Sequence, residues 1–306
     1  MESAANTVPV ASPPLVAPRS SMGVLRDYLA LTKPRIIGLL LVTTVTTMFV
    51  ADPSGPRLAV ILWTMLGGYL AAGGAGAINH YLDRERDAQM TRTRGRPLVE
   101  GRIEPSHALA FGILLGAIAT VQLALTVNAL AAALSLAGLL GYVFVYTIWL
   151  KPLTPQNIVI GGAAGAMPPL VGWAAATGGL NAEALFAFGI VFLWTPPHFW
   201  ALALLIKDDY ARTCVPMLPV VRGDAATTHQ IAVYSLLLVT FTAVPVITGL
   251  FGALYLAAAL LLGVAFLAFA ARLALRPSRA AALHLHLYSL LYLALLFAAM
   301  AADRVL

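Results

Sequence analysis

The stretch Leu58–Asp87 reads LAVILWTMLGGYLAAGGAGAINHYLDRERD. Its first 21 residues, Leu58–Ile78, carry no charge. A helix of that length crosses the roughly 30 Å hydrocarbon core of a bilayer. The run is continuous rather than alternating in polarity, which argues for a helix and against a barrel strand. Its last nine residues, Asn79-His80-Tyr81-Leu82-Asp83-Arg84-Glu85-Arg86-Asp87, hold five charges. A spanning helix thus runs straight into a polar segment.

Eight further stretches repeat the apolar pattern: Ile36–Val50, His107–Val127, Ala129–Leu150, Ile158–Thr177, Ala184–Ile206, Gln230–Gly252, Leu254–Ala271 and Leu283–Ala302. The first is short and is expected to begin nearer Leu29. Only Asn128 separates the third and fourth spans, which predicts a tight hairpin. The 306 residues are 60% apolar and only 10% charged, against about 25% charged in a soluble domain. So few charges cannot build a water-facing shell, which excludes a soluble globular enzyme, a disordered chain and a coiled coil. The single cysteine, Cys214, excludes a disulfide framework and a multi-cysteine metal site. The expected fold is an all-α polytopic membrane protein with nine transmembrane helices. Met1–Val24 is rich in Pro, Ala and Ser, and no basic segment there leads into a long apolar core. Residues 1–25 are therefore expected to be a disordered cytoplasmic tail rather than a cleaved signal peptide, and residues 26–306 one membrane domain.

Charge distribution orients the bundle. With the N-terminus inside, 17 of the 19 Lys and Arg residues fall on inner segments, and only Arg57 and Arg304 fall outside. The net charge of +6 is thus a topology signal, not a nucleic-acid footprint. Eight of the 13 acidic residues crowd into the two inner loops after spans two and six. Two acidic and basic loops on one membrane face predict a polar cap over the bundle.

In the first loop, Asn79, Asp83 and Asp87 follow i, i+4, i+8 spacing and stack on one helical face. Like charges so spaced repel, and a divalent cation resolves the repulsion; carboxylate and amide oxygens suit Mg2+. The plainer alternative is a solvated helix end whose acids pair with Arg84 and Arg86. Arg92, Arg94 and Arg96 follow directly, and arginine forks bind phosphate oxygens. Metal-binding acids beside phosphate-binding arginines make a diphosphate site. In the second loop, Asp208 and Asp209 point about 100° apart on a helix, so one is expected to face the site and the other to cap or to pair with Lys207.

Span six contains Trp194-Thr195-Pro196-Pro197-His198-Phe199-Trp200 and span five Met167-Pro168-Pro169. Proline kinks free carbonyls that protein or water must cover, which predicts a cavity between these spans. His198 beside such a kink is either a ligand or a hydrogen-bonded structural residue. The other histidines carry weaker signals: His107 and His229 start helices, His284 and His286 lie near an interface, and His80 points off the acidic face.

These motifs together resemble the UbiA superfamily of intramembrane prenyltransferases, and within it the protohaem IX farnesyltransferase (haem O synthase) branch. The resemblance rests on Leu31-Thr32-Lys33-Pro34-Arg35, Asn79-x-x-x-Asp83-x-x-x-Asp87, Met90–Leu98, Thr154-Pro155-Gln156-Asn157, Pro196–Trp200 and Asp208-Asp209-Tyr210 followed by Pro216-Met217-Leu218-Pro219. It implies a UbiA-like bundle with a cytoplasmic-side polar cap over an intramembrane cavity. It also implies Mg2+ held by Asn79, Asp83 and Asp87, with Asp208 or Asp209 assisting. Farnesyl diphosphate would be bound by Lys33, Arg35, Arg92, Arg96 and Lys207. A vinyl group of haem B would accept the farnesyl group, with water added, and His198 would position the haem. The implied product feeds haem A and terminal oxidase formation, with haem A synthase or oxidase assembly factors as partners and the bacterial inner membrane as location. Where the branch shows Ala-Gly, this chain has Thr213-Cys214; a Cβ there alters the loop turn if the position takes positive φ. Two rival readings stand beside this one: a UbiA-type enzyme with a quinone-precursor or tetrapyrrole acceptor, and a non-catalytic haem-binding protein or transporter.

Overall fold

The computed structural model describes residues 20–247 and 249–306. Up to Arg19 the expected tail lies outside the described residues, while Ser21–Leu25 already belong to a helix. That helix, α1 (Ser21–Thr32), is capped by the Ser20 hydroxyl, which accepts from the Gly23 amide. It stops at Thr32, and Lys33 before Pro34 leaves the right-handed helical region that a following proline disfavours, taking the left-handed one. The chain continues as α2 (Pro34–Ala51), α3 (Leu58–Gln89), α4 (Pro105–Thr126) and α5 (Ala129–Leu140). Next come α6 (Asn157–Gly165), α7 (Met167–Thr177), α8 (Ala182–Leu205), α9 (Lys207–Arg212) and α10 (Leu218–Val221). The last three are α11 (Gly223–Ile247), α12 (Ala253–Leu275) and α13 (Arg279–Val305). Among the described residues, nine helical segments are long and apolar enough to cross a membrane, matching the nine expected spans.

Two spans are not simple α-helices. The fourth passes from α5 into a ten-residue π-helix, Gly141–Leu150, before ending at Leu153. The fifth breaks at Ala166, so Pro168 and Pro169 open α7 rather than kink a continuous helix. In α8, by contrast, Pro196 and Pro197 lie inside the helix.

Successive spans are neighbours. Contacts run α2–α3–α4–α5, on through the π-helix to α6, then α8–α11–α12–α13, and α13 returns to α2. The first and last spans therefore meet, closing a ring against whose inner side α7 packs on α2 and α5. Small residues allow the closest crossings: a Cβ on Gly74 of α3 would lie 2.7 Å from the Gly112 carbonyl oxygen of α4. The core on the α8–α13 side is built from Trp200, Tyr255, Phe266, Tyr292 and Phe297. Leu125, Ile247 and Leu261 are more than 70% exposed, the outward apolar belt a bilayer solvates.

Candidate active site

The α3 helix runs on past its apolar span by three turns, carrying Asn79, Asp83 and Asp87 to one end of the bundle on one buried face. Each is held by a partner from a different segment. Asn79 Oδ1 accepts from Lys33 Nζ at 2.7 Å. The Asn79 amide donates to Asp83 Oδ2 at 2.8 Å and to Thr147 Oγ1 at 3.3 Å. Asp83 Oδ2 also takes Lys151 Nζ at 2.5 Å, and Oδ1 takes Arg86 Nη1 at 3.3 Å. Asp87 pairs with Arg96.

The local fold explains how these cations arrive. Lys33 sits in the left-handed conformation (φ 57°) between the end of α1 and Pro34, and this corner aims it at α3. Thr147 lies in the π-helix, where its hydroxyl donates to the Tyr142 carbonyl five residues back; Lys151 follows one turn later. The loop after α3 folds onto the helix end through Thr93 Oγ1, which donates to the Asp87 carbonyl at 2.9 Å, and so delivers Arg96.

Two carboxylates thus face four cations: Lys33, Arg86, Arg96 and Lys151. The surplus is positive, which suits a polyanionic guest. Burial, reinforced by Arg96, lowers Lys33 to about 7. The donor set also fits a hard divalent cation: Asn79 Oδ1 and the two carboxylates are oxygens on one face, already clustered with positive partners. Among the described residues no three His, Cys, Asp or Glu side chains gather, because the third oxygen here belongs to an amide.

The second loop is stapled to the first. Asp209, buried in α9, accepts from the Thr91 amide at 3.3 Å and the Arg92 amide at 3.4 Å and pairs with Arg212. Desolvation raises the Asp209 carboxyl, but the two amides and the guanidinium outweigh it and hold the group below its ordinary value. Arg212 in turn donates to Thr91 Oγ1 at 2.9 Å. Asp208 is exposed, and Lys207 pairs with Asp224 at 2.7 Å rather than with Asp208; that bond raises Lys207 above its usual value. Arg35 is exposed on α2, and Arg92 is exposed beside Asp209. Of the residues singled out from the sequence, the fold therefore brings together Lys33, Asn79, Asp83, Asp87 and Arg96, with Asp209 one loop away. Lys151 and Thr147 were missed. The available signal was that Lys151 is the sole Lys, Arg, Asp or Glu between Glu104 and Glu183.

His198 belongs to a separate cluster within the bundle. It is buried in α8, stacked between Trp194 (ring centroids 4.2 Å) and His286 of α13 (4.4 Å). Spans five and six approach closely at Gly162, where a Cβ would lie 2.9 Å from the Thr195 side chain, and a small pocket of about 110 Å³ lies at their ends, lined by Pro155, Gln156 and Trp200 among others. A cavity of about 560 Å³ lies elsewhere, between α1 and the α3–α4 pair, lined by Tyr28, Thr32, Tyr69 and Phe111 among others.

Among the described residues, a closed ring of nine apolar helical segments with an oxygen face ringed by cations at one end is the architecture of an intramembrane prenyltransferase. The chain belongs to the UbiA prenyltransferase family, which it matches over residues 40–301. Its relatives carry a narrower name. The protoheme IX farnesyltransferase of Roseiflexus sp. is 56% identical over 281 residues, 92% of this chain and 53% of that protein. The one from Symbiobacterium thermophilum is 53% identical over 284 residues, 92% of this chain and 94% of that protein. The chain thus spans about half the length of several relatives and nearly all of another. Among solved structures, a digeranylgeranylglyceryl phosphate synthase aligns with a TM-score of 0.76 at 19% identity, covering 93% of this chain and 99% of that one. A UbiA homologue from Archaeoglobus fulgidus bound to DMAPP and Mg2+ aligns with a TM-score of 0.62 at 16% identity, covering 90% and 99%. These two share the fold.

Proposed function

We propose that this chain transfers the farnesyl group of farnesyl diphosphate to a vinyl group of haem B, with addition of water, giving haem O and diphosphate. The observation that carries the donor half is the acidic face of α3 surrounded by Lys33, Arg86, Arg96 and Lys151. The acceptor half rests on the name shared by relatives at 46–56% identity.

In this reading the four cations bind the diphosphate and stabilise the charge that develops on it as the allylic C–O bond breaks. Mg2+ held by Asn79, Asp83 and Asp87, when bound, supplies Lewis-acid neutralisation of the same leaving group. Asp209 and Arg212 keep the Met90–Leu98 loop closed over the site, limiting bulk water at the allylic cation. The vinyl carbon attacks that cation, and one water captures the resulting benzylic-type centre and releases a proton. His198 stands as the residue that positions haem. The charge asymmetry supports an inner-membrane placement with the N-terminus cytoplasmic, and the product supports a supply role toward haem A and terminal oxidases.

The test is direct. Membranes containing the protein are incubated with haem B, farnesyl diphosphate and Mg2+, and the extracted haems are read by mass spectrometry. Haem heavier by one farnesyl group plus water, lost with EDTA and with Asp83→Ala, is the expected result. Unchanged haem B alongside prenylation of a quinone precursor would move the chain to another acceptor. No transfer to either, with haem still bound, would overturn catalysis.

A further inference from the structure

The His198 cluster allows ring protonation to be assigned from its oxygen partners. Ser289 Oγ lies 2.6 Å from the His286 carbonyl oxygen and 2.7 Å from His198 Nδ1. A carbonyl has no hydrogen to give, and two oxygens approach this closely only with a proton between them. The Ser289 hydroxyl therefore donates to His286 O, and its lone pair is left to accept from His198 Nδ1–H. The same reasoning fixes the second ring: His286 Nδ1 lies 3.2 Å from the His198 carbonyl oxygen, so it too carries the proton. The two helices are thus cross-linked reciprocally, each histidine donating its Nδ1–H into the other helix.

In the neutral form of each ring, a proton on Nδ1 leaves Nε2 unprotonated. A neutral imidazole with one N–H committed to a fixed acceptor presents its other nitrogen as a lone pair, the form that ligates a metal. No partner among the described residues takes His198 Nε2, although the residue is only 7% exposed. Its ring plane is also set: Trp194 stacks on it, and Trp194 Nε1–H donates to the Ser289 carbonyl at 2.7 Å. One residue, Ser289, therefore fixes the tautomer through its hydroxyl and the ring stack through its carbonyl.

We propose that Ser289 and His286 are positioning residues that hold His198 as its Nδ1–H tautomer, with Nε2 presented to the iron of the haem substrate. This rests on the haem-farnesylation reading, and the test separates the two. Selectively 15N-histidine-labelled protein without haem gives the tautomer of each of the six histidines by long-range 1H–15N spectra. His198 and His286 are expected as Nδ1–H, and Ser289→Ala is expected to shift His198 toward a tautomer mixture; an Nε2–H pattern for His198 in the unmodified protein overturns the inference. Haem B titration followed by absorption and resonance Raman spectra supplies the second readout. Removal of such an orienting partner typically weakens a metal–histidine bond by roughly 10–100-fold, so Ser289→Ala and His286→Phe should weaken haem binding by that order and shift the iron–histidine band. His198→Ala should abolish the band. If His198→Ala removes the band while Ser289→Ala leaves both affinity and band unchanged, the positioning role is refuted and the haem site stands. If His198→Ala leaves the band intact, the haem site assigned to His198 falls, and this inference with it.

Discussion

Lys151→Met probes whether the acidic face of α3 and the end of the fourth span form one energetic unit. The Lys151 ammonium lies 2.5 Å from Asp83 Oδ2, with side-chain exposures of 14% and 3%. Opposite charges at that separation attract by about 7 kcal/mol at an effective dielectric of about 20, but desolvation cancels much of it, and breaking a buried pair costs roughly 3–5 kcal/mol when the survivor is left bare. Here Asp83 is not left bare, since Arg86 stays at 3.3 Å and the Asn79 amide at 2.8 Å. The expected loss is therefore smaller, about 2 kcal/mol. Asp83→Asn strands the ammonium instead, close to Lys33, and should cost a similar amount. In the double variant neither charge is stranded, so the two losses should fall short of adding by about 1–2 kcal/mol. Reversible unfolding of the four proteins in mixed micelles, followed by tryptophan fluorescence, measures this directly. Losses that add to within about 0.5 kcal/mol would show two independent residues and refute the account of the site as a single interlocked cluster.

Three further outcomes follow from the geometry. Cys214 occupies φ 52°, a conformation that costs an L-residue roughly 1–2 kcal/mol, while glycine's extra freedom in the unfolded chain returns roughly 0.4–1 kcal/mol of that. Cys214→Gly should therefore stabilise by ~0.5–1 kcal/mol, read as a higher unfolding midpoint, and Cys214→Ala should not. Asp209→Ala removes the acceptor of the Thr91 and Arg92 amides; hydrogen exchange at those two amides should accelerate about tenfold or more, since a charged hydrogen bond contributes roughly 1.5–3 kcal/mol. Arg96→Gln should lower farnesyl transfer by about tenfold or more through a lost charged contact, whereas Arg35→Gln and Lys207→Ala, on exposed side chains outside the cluster, should lower it far less. Initial rates at fixed haem B rank the three.

The spans and the acidic trio were legible because each is a local property: unbroken apolar runs set the helices, and i, i+4, i+8 spacing sets the shared face. Cys214 stood out because a side chain stands where the related branch has glycine, but only the structure gives its positive φ of 52°. Lys151 was hidden because its importance lies in a contact 68 residues away in sequence, and its own neighbourhood is only the end of an apolar helix. His286 was hidden for the same reason: on its helix it reads as an interfacial residue, and only the approach of α13 to α8 gives it His198 as a partner. The break at Ala166 and the π-helix leave no mark in hydropathy, since both lie in runs that stay uncharged and predominantly apolar in either geometry.

That π-helix has a consequence of its own. A segment bonded i to i+5 is an α-helix with a residue to spare. Removing one residue within Gly141–Leu150 would restore α spacing and leave the span long enough to cross the bilayer. Nine α-helical residues turn about 80° further than ten π-helical ones, so everything beyond would turn by about 80°, and Lys151 would swing off the acidic face with no side chain changed in kind. The charge that reaches Asp83 is thus set by helical phase, a property of the length of the fourth span that no comparison of residue types along it would reveal.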